Sequence, residues 1–308
     1  MKGGLIVEWT RIAELFVAAL SLGSIYALMA LGLALVYGIL RLVNFAYGEL
    51  IMIAGYAMWQ LQRLGFGVPW ALEVLLAVGV VTLTSIVLER VAFRPVRASH
   101  GPPINVLITS FACSTVLQSL AMVLISPRSK GIEYPPIVSA QLTLGPVRIA
   151  VFDIMAMIVG GVSLVALTFL LKKTFLGISL RAAADDFTMT RLLGVRANGV
   201  IAAAFAISGA LAGISSVLWL ARIGLVRPGI GLGPVIIAFF ASVVGGVESL
   251  AGAVVGGFIL GFLTVGLQAI LPASLLEYRS AFTFLVVIIV LLVRPQGLLP
   301  GRHMREAR

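Results

Sequence analysis

Charge is what this sequence has least of. Only 11% of its 308 residues are Asp, Glu, Lys or Arg, against 60% that are hydrophobic. A soluble domain carries about 25% charge, because its surface must be wetted. Half of that cannot cover a water-facing surface, which excludes a soluble globular chain. Lysine occurs at Lys2, Lys130, Lys172 and Lys173 alone, and none lies in a G-x-x-x-x-G-K-[ST] phosphate loop, so ATP binding through such a loop is excluded. With just His100 and His303 and no HExxH, an intramembrane metalloprotease or other metal site is not expected, nor is any cofactor. Cys113 is the single cysteine, so no internal disulfide forms. The twelve acids supply no intramembrane relay of the kind a proton-driven carrier needs; only Glu49, Glu73, Asp153, Glu248 and Glu277 fall near span ends. A transporter without an ATP site or an ion-coupling cluster takes its energy from a partner.

Long charge-free runs are what the chain does have: Leu15–Leu40, Gly101–Pro127, Ile154–Leu171, Ala197–Ala221, Pro228–Val247 and Ser249–Leu276. Roughly 20 helical residues cross a ~30 Å hydrocarbon core, so these runs predict an all-α, polytopic membrane helix bundle in contact with lipid. Expected spans lie near 15–37, 46–62, 69–88, 104–125, 151–171, 200–221, 234–247, 252–271 and 279–293. The first is read as retained rather than cleaved. The second follows a polar interruption and the seventh runs into Gly245-Gly246, so the count is eight to nine. The whole of 1–308 reads as one transmembrane domain. Glycine, 33 residues in all, recurs inside the apolar runs, and Gly252, Gly256, Gly257 and Gly261 form two small-xxx-small pairs suited to close helix packing.

The net charge of +10 comes from basic residues in short connections, which argues for membrane orientation and against nucleic acid. Arg90–Arg97, Lys172–Arg196 and Arg294–Arg308 are the basic connections, and the positive-inside rule places all three in the cytoplasm, the C-terminus included. The 126–150 connection then faces outward. Nine crossings put the N-terminus outside, eight put it inside.

An internal repeat is expected from two interruptions, 38–49 and 245–252, each followed by two spans and an Arg-Pro pair (Arg94-Pro95, Arg294-Pro295). Paired Gly-interrupted segments in corresponding halves point to a transporter's translocation path. The path candidates are therefore Gly38, Asn44, Gly48, Glu49, Gly245, Gly246 and Glu248. Glu49 either lines the path, pairs with Arg41 or caps the following helix. Asn44 suits a bond to unwound backbone, and Glu248 a solute contact or a turn.

Between Lys172 and Gly199, Ser179 as N-cap and Gly194 as C′ residue predict one cytoplasmic helix of about four turns. Ala182, Asp186, Met189 and Leu193 share one stripe of it, for a partner's groove or for solvent. With Gly177, Arg181 and Gly194 these are the coupling candidates.

Gly177-Ile178-Ser179-Leu180-Arg181-Ala182, followed by Asp185-Asp186 and Gly194-Val195, resembles the cytoplasmic signature of permeases of the branched-chain amino acid family of ABC importers. Val36 to Glu49, Val244 to Gly252, and Tyr278-Arg279 with Arg294 to Leu298 are similar to other stretches of that family, in the same order. The termini look most like its LivH-type branch. Tyr47 stands where such permeases often have His. The resemblance implies a subunit of an inner-membrane importer, working with a second homologous permease, two ABC ATPase subunits and a periplasmic solute-binding protein. ATP hydrolysis would lie on the ATPase chains. Urea or short amides are the alternative cargo, and a self-sufficient carrier or channel the alternative class.

Overall fold

The computed structural model describes residues 2–40, 43–65, 67–99, 102, 104–144, 147–185, 187–195, 197–247, 249–294 and 296–299; for 2–8, 144, 185, 187, 188, 191 and 197 it describes the backbone alone. In chain order the helices are α1 (Lys2–Leu40), α2 (Tyr47–Leu64) and α3 (Trp70–Leu88), which runs through a π-turn (Glu89–Phe93) into α4 (Arg94–Ala98). Then come α5 (Ile104–Leu124), the short α6 (Pro136–Ser139), α7 (Val151–Lys173), α8 (Phe175–Asp185), α9 (Phe187–Leu192) and α10 (Ala197–Ile223). Last are α11 (Leu232–Gly245), α12 (Leu250–Ile270), a 3-10 turn (Ala273–Tyr278) and α13 (Arg279–Val293). Four short strands complete the described residues: β1 (Lys130–Gly131), β2 (Gln141–Leu144), β3 (Val147–Ala150) and β4 (Leu225–Val226).

Among the described residues seven helices are long and apolar enough to cross a membrane, which makes this a multi-pass membrane protein. The sequence predicted eight to nine spans, and the shortfall falls on the two doubtful ones. α2 has 18 residues, among them Glu49, Gln60, Gln62 and Arg63, and α11 has only 14 residues.

α1 is the axis of the bundle, with nearly all of its span buried, and α7, α10, α11 and α12 pack around it. Small residues make that packing possible. On α12, Gly257 and Gly261 lie so close to Ala27 and Gly23 of α1 that a Cβ on either would collide with backbone. The other pair on the same helix, Gly252 and Gly256, faces α11 instead, against the carbonyls of Gly245 and Ala241. The two small-xxx-small pairs thus glue α12 to two different neighbours, by the close backbone approach that membrane helices use where no hydrophobic force drives them together. Serines lock the centre further: Ser208 Oγ donates to Gly32 O (2.7 Å) and Ser242 Oγ to Ala30 O (3.1 Å).

α3, α5, α7 and α13 surround this core and expose apolar side chains such as Leu83, Phe111, Val165 and Leu292, as suits contact with lipid. At one end of the bundle β1 pairs antiparallel with β4, and β2 with β3. Gln62 at the end of α2 clamps the same end: its Nε2 donates to Glu133 O (2.8 Å), and the Glu133 N–H donates to its Oε1 (3.0 Å). The Arg148 N–H of β3 donates to Glu14 Oε1 on α1 (2.8 Å), so Glu14 of α1 lies at this hairpin end too.

Candidate functional site

The chain breaks between α1 and α2, and the start of α2 is built by Asn44. Its Oδ1 accepts from the Ala46 N–H (3.1 Å) while its carbonyl accepts from the Tyr47 N–H (3.2 Å), an Asx turn that opens the helix. The polar residue expected to bond unwound backbone does so. The interruption starts later than 38, however. α1 continues through Gly38 to Leu40, and the space around Gly38 is open, so that glycine is not where the helix stops.

Gly48, in the first turn of α2, touches a segment that the sequence did not link to it. A Cβ on Gly48 would stand 2.6 Å from Gly231 O, and one on Gly231 would press closer still on Gly48 O. Gly231 is the N-cap of α11, and the turn before it is opened by Gly229 with φ +75°. Two helix starts therefore meet backbone to backbone. Gly48 lies 16 residues, about 24 Å, from Leu64 at the hairpin end of α2, so this meeting point is deep in the bundle.

Glu49 sits beside it, 1% exposed. Its Oε1 accepts from Ser114 Oγ (2.9 Å) and Gln118 Nε2 (2.7 Å), both on α5, and its Oε2 has no partner among the described residues. One oxygen satisfied and one orphaned is unusual for a buried carboxylate, whose desolvation costs several kcal/mol unless it is fully hydrogen-bonded. The start of α2 offers some compensation, since the positive end of the helix dipole favours an acid in the first turn. Ser110, one turn before Ser114, accepts the Phe45 N–H (3.3 Å), and Phe45 and Phe111 stack with ring centroids 4.3 Å apart. Ser110, Ser114 and Gln118 were missed by sequence reasoning, although their i, i+4, i+8 spacing draws a polar stripe down an apolar span. Arg41, a possible partner of Glu49, lies outside the described residues, as do Glu248 and Asp186.

The second interruption is a different object. α11 ends at Gly245, Gly246 takes φ +115°, and Ser249 caps α12 by accepting the Gly252 N–H (3.0 Å). The Leu298 and Leu299 N–H groups donate to Val244 O and Gly245 O (2.9 Å each), so chain beyond α13 closes the end of α11. Gly48–Gly231 and Gly245–Gly252 thus flank opposite ends of α11, about 21 Å apart along it, and the structure does not bring the two interruptions together.

The coupling candidates fall on or directly after the helical stretches Phe175–Asp185 and Phe187–Leu192, with Asp186 between them outside the described residues. The first starts earlier than Ser179: the Gly177 N–H donates to Thr174 Oγ1 (3.1 Å), so Thr174 is the cap, and Ser179 is buried inside α8. A serine in an apolar sequence reads as a cap, but here the capping hydroxyl lies five residues upstream, where α7 turns. Gly177 permits that turn, since a Cβ there would collide with the carbonyls of Leu170 and Leu171. Gly194 closes the segment as predicted, with φ +86° and the Val195 N–H returning to Thr190 O (3.3 Å). Leu180 and Ala183 face inward, whereas Arg181, Ala182, Met189 and Leu193 are exposed, Leu193 at 78%. Leu193 also lines a groove of about 470 Å³ with Phe175, Leu176 and Val200.

The family described as branched-chain amino acid transport system / permease component matches residues 15–291. The chain is 35% identical over 291 residues to the high-affinity branched-chain amino acid transport system permease protein LivH of Escherichia coli (strain K12), covering 91% of this chain and 92% of that one. It is 35% identical to BraD, the corresponding permease protein of Pseudomonas aeruginosa, over 92% and 94% of the two chains. A probable LivH permease of Methanocaldococcus jannaschii is 27% identical over 91% and 90%. No solved structure matches. The family match runs from Leu15 of the axis helix α1 through the Gly48–Gly231 contact and the α8–α9 segment, and the chain belongs to the family of branched-chain amino acid transport system permease components.

Proposed function

We propose that this chain is the membrane-spanning permease subunit of an ATP-driven ABC importer that moves branched-chain amino acids across the cytoplasmic membrane. A second permease, two ATPase subunits and a periplasmic solute-binding protein complete the machine, and the basic connections and the C-terminus face the cytoplasm. The observation that carries this reading is the α8–α9 segment. Phe175, Leu176, Leu192 and Leu193 stand exposed beside Lys172, Lys173 and Arg181, outside the long apolar helices. A cytoplasmic segment with bare leucines is unfavourable in water and suits a groove on a partner. A self-sufficient carrier has no use for it. The Glu49–Ser114–Gln118 cluster and the Gly48–Gly231 contact support a path at the start of α11, with Gly48 and Glu49 on it and Gly245 and Gly246 serving the turn at its far end.

The test is uptake of leucine into proteoliposomes, with leucine-loaded binding protein outside and ATP inside. Uptake should require the ATPases and ATP. Equal uptake from permeases reconstituted without ATPases would show a carrier instead.

A further inference from the structure

A second feature faces the hairpin end. A cavity of about 760 Å³ opens between α1, α10, α11, α12 and α13, within the ~300–1,000 Å³ range of small-molecule sites. Arg11, Arg222 and Arg279 line it, with no acidic side chain among its lining residues. Arg222 is already engaged: it donates to Asp153 Oδ1 (2.7 Å) and Ser21 Oγ (3.0 Å). Arg279 is not neutralised. Its Nη1 donates to Gln268 Oε1 (2.6 Å), a neutral partner, and neither it nor Arg11 meets a carboxylate among the described residues. Guanidinium groups gathered on an apolar protein wall, at the edge of a low-dielectric bundle, attract an anion and bind carboxylates in bidentate fashion. Below them the walls turn apolar, with Leu22, Ile237 and Phe284, and the cavity reaches Gly233 in the first turn of α11. The positive end of that helix therefore continues the same field inward, towards the contact of Gly231 with Gly48.

We propose that this cavity is an outer subsite of the permease that takes the carboxylate of a hydrophobic amino acid on Arg279, with the side chain against Leu22, Ile237 and Phe284. The proposal rests on the transport reading above and adds to it a chemical requirement. Cargo with an α-carboxylate is admitted, and uncharged urea or amides find no counter-charge. The ammonium group contributes little, since the cavity lining offers it no free carboxylate.

The experiment uses the two permeases with their two ATPases, without the binding protein, in nanodiscs of neutral lipid, read by saturation-transfer NMR with three probes: leucine, its 2-hydroxy acid and leucinamide. Leucine and the hydroxy acid should bind alike. Leucinamide, which lacks the carboxylate, should bind about tenfold more weakly, the worth of one charge-assisted hydrogen bond. Arg279→Gln should weaken leucine to the leucinamide level, while Arg128→Gln, on the same end but outside the cavity, should change nothing. Leucinamide binding as well as leucine in the wild type overturns the proposal without recourse to any variant, as does an Arg279→Gln complex that binds leucine normally. Loss of leucine binding when the nanodisc lipid is made anionic overturns it too, because the cavity then holds a lipid phosphate. ATP-driven uptake by the same proteins reconstituted in proteoliposomes, with leucine-loaded binding protein outside, separates the two readings. A complex that imports leucine yet ignores the carboxylate loses only the subsite, and one that binds by carboxylate but imports nothing loses only the transport reading.

Discussion

Replacing Leu193 by Asp separates association from folding, because of where that side chain stands. In the isolated chain it is 78% exposed, in the last turn before Gly194, whose φ of +86° ends the segment. Putting a carboxylate there removes almost no packing from the permease itself, so the helix bundle should insert and melt as the wild type does. Docking is another matter. A leucine buried in a partner's groove contributes roughly 1.5–3 kcal/mol, and Asp forfeits all of it. Desolvating an unpaired carboxylate costs a few kcal/mol more, so the association should weaken by at least ~3 kcal/mol, or more than about a hundredfold. Leu180→Ala is the contrasting variant. That leucine is 2% exposed in the same segment, packed in the core with Ala183, and its truncation should cost the permease about 2–5 kcal/mol of stability. Co-purification of the ATPases, their stimulation by loaded binding protein and the melting of the permease are the three readouts, taken on the complex in nanodiscs. Leu193→Asp should spare melting and lose the other two. Wild-type association together with wild-type stimulation would remove this segment from the coupling route.

The other predictions concern the interior. Gly48→Leu should abolish uptake while leaving the complex assembled, since backbone at Gly231 leaves no room for the side chain; normal uptake at normal protein level refutes a path at that contact. Gly38→Leu is its control, because open space surrounds that position, and it should transport normally. Ser249→Ala removes the cap of α12 and should lower stability by about 1 kcal/mol, seen as a small fall in the melting midpoint, with uptake retained. Exchanging the binding protein for a homologue that delivers a different carboxylate cargo should transfer the preference; a leucine preference that persists unchanged places selection in the permease.

How much of this was legible depends on the physical signal each feature leaves. Charge-free runs announce membrane helices because no other environment tolerates them, so seven long spans were readable, and the polar α2 and the short α11 were recognisable as the uncertain crossings. Gly194 was readable because a left-handed C′ residue favours glycine. The Ser179 cap was misplaced because any hydroxyl near a helix start gives the same local signal, and only the tight α7–α8 turn at Gly177 selects Thr174. The equivalence drawn between 38–49 and 245–252 rested on glycines beside a carboxylate, a composition shared by two unlike structures. One is a helix start held by Asn44, the other a hairpin held by Ser249 and by the N–H groups of Leu298 and Leu299.

The site itself was half visible, for a reason that applies to any bundle of this kind. Asn44, Gly48 and Glu49 are neighbours in sequence, so their conjunction of a turn former, a small residue and an acid stands out against apolar flanks. Their partners arrive from elsewhere: Ser114 and Gln118 from α5, Gly229 and Gly231 from the entry to α11. The stripe of Ser110, Ser114 and Gln118 shows that one face of α5 meets something polar, but it does not say which helix supplies it. The Gly48–Gly231 contact leaves still less trace, because close approach of two backbones requires only the absence of a side chain on each. Residues that act by what they lack are found through their partner, and the partner is found through the fold.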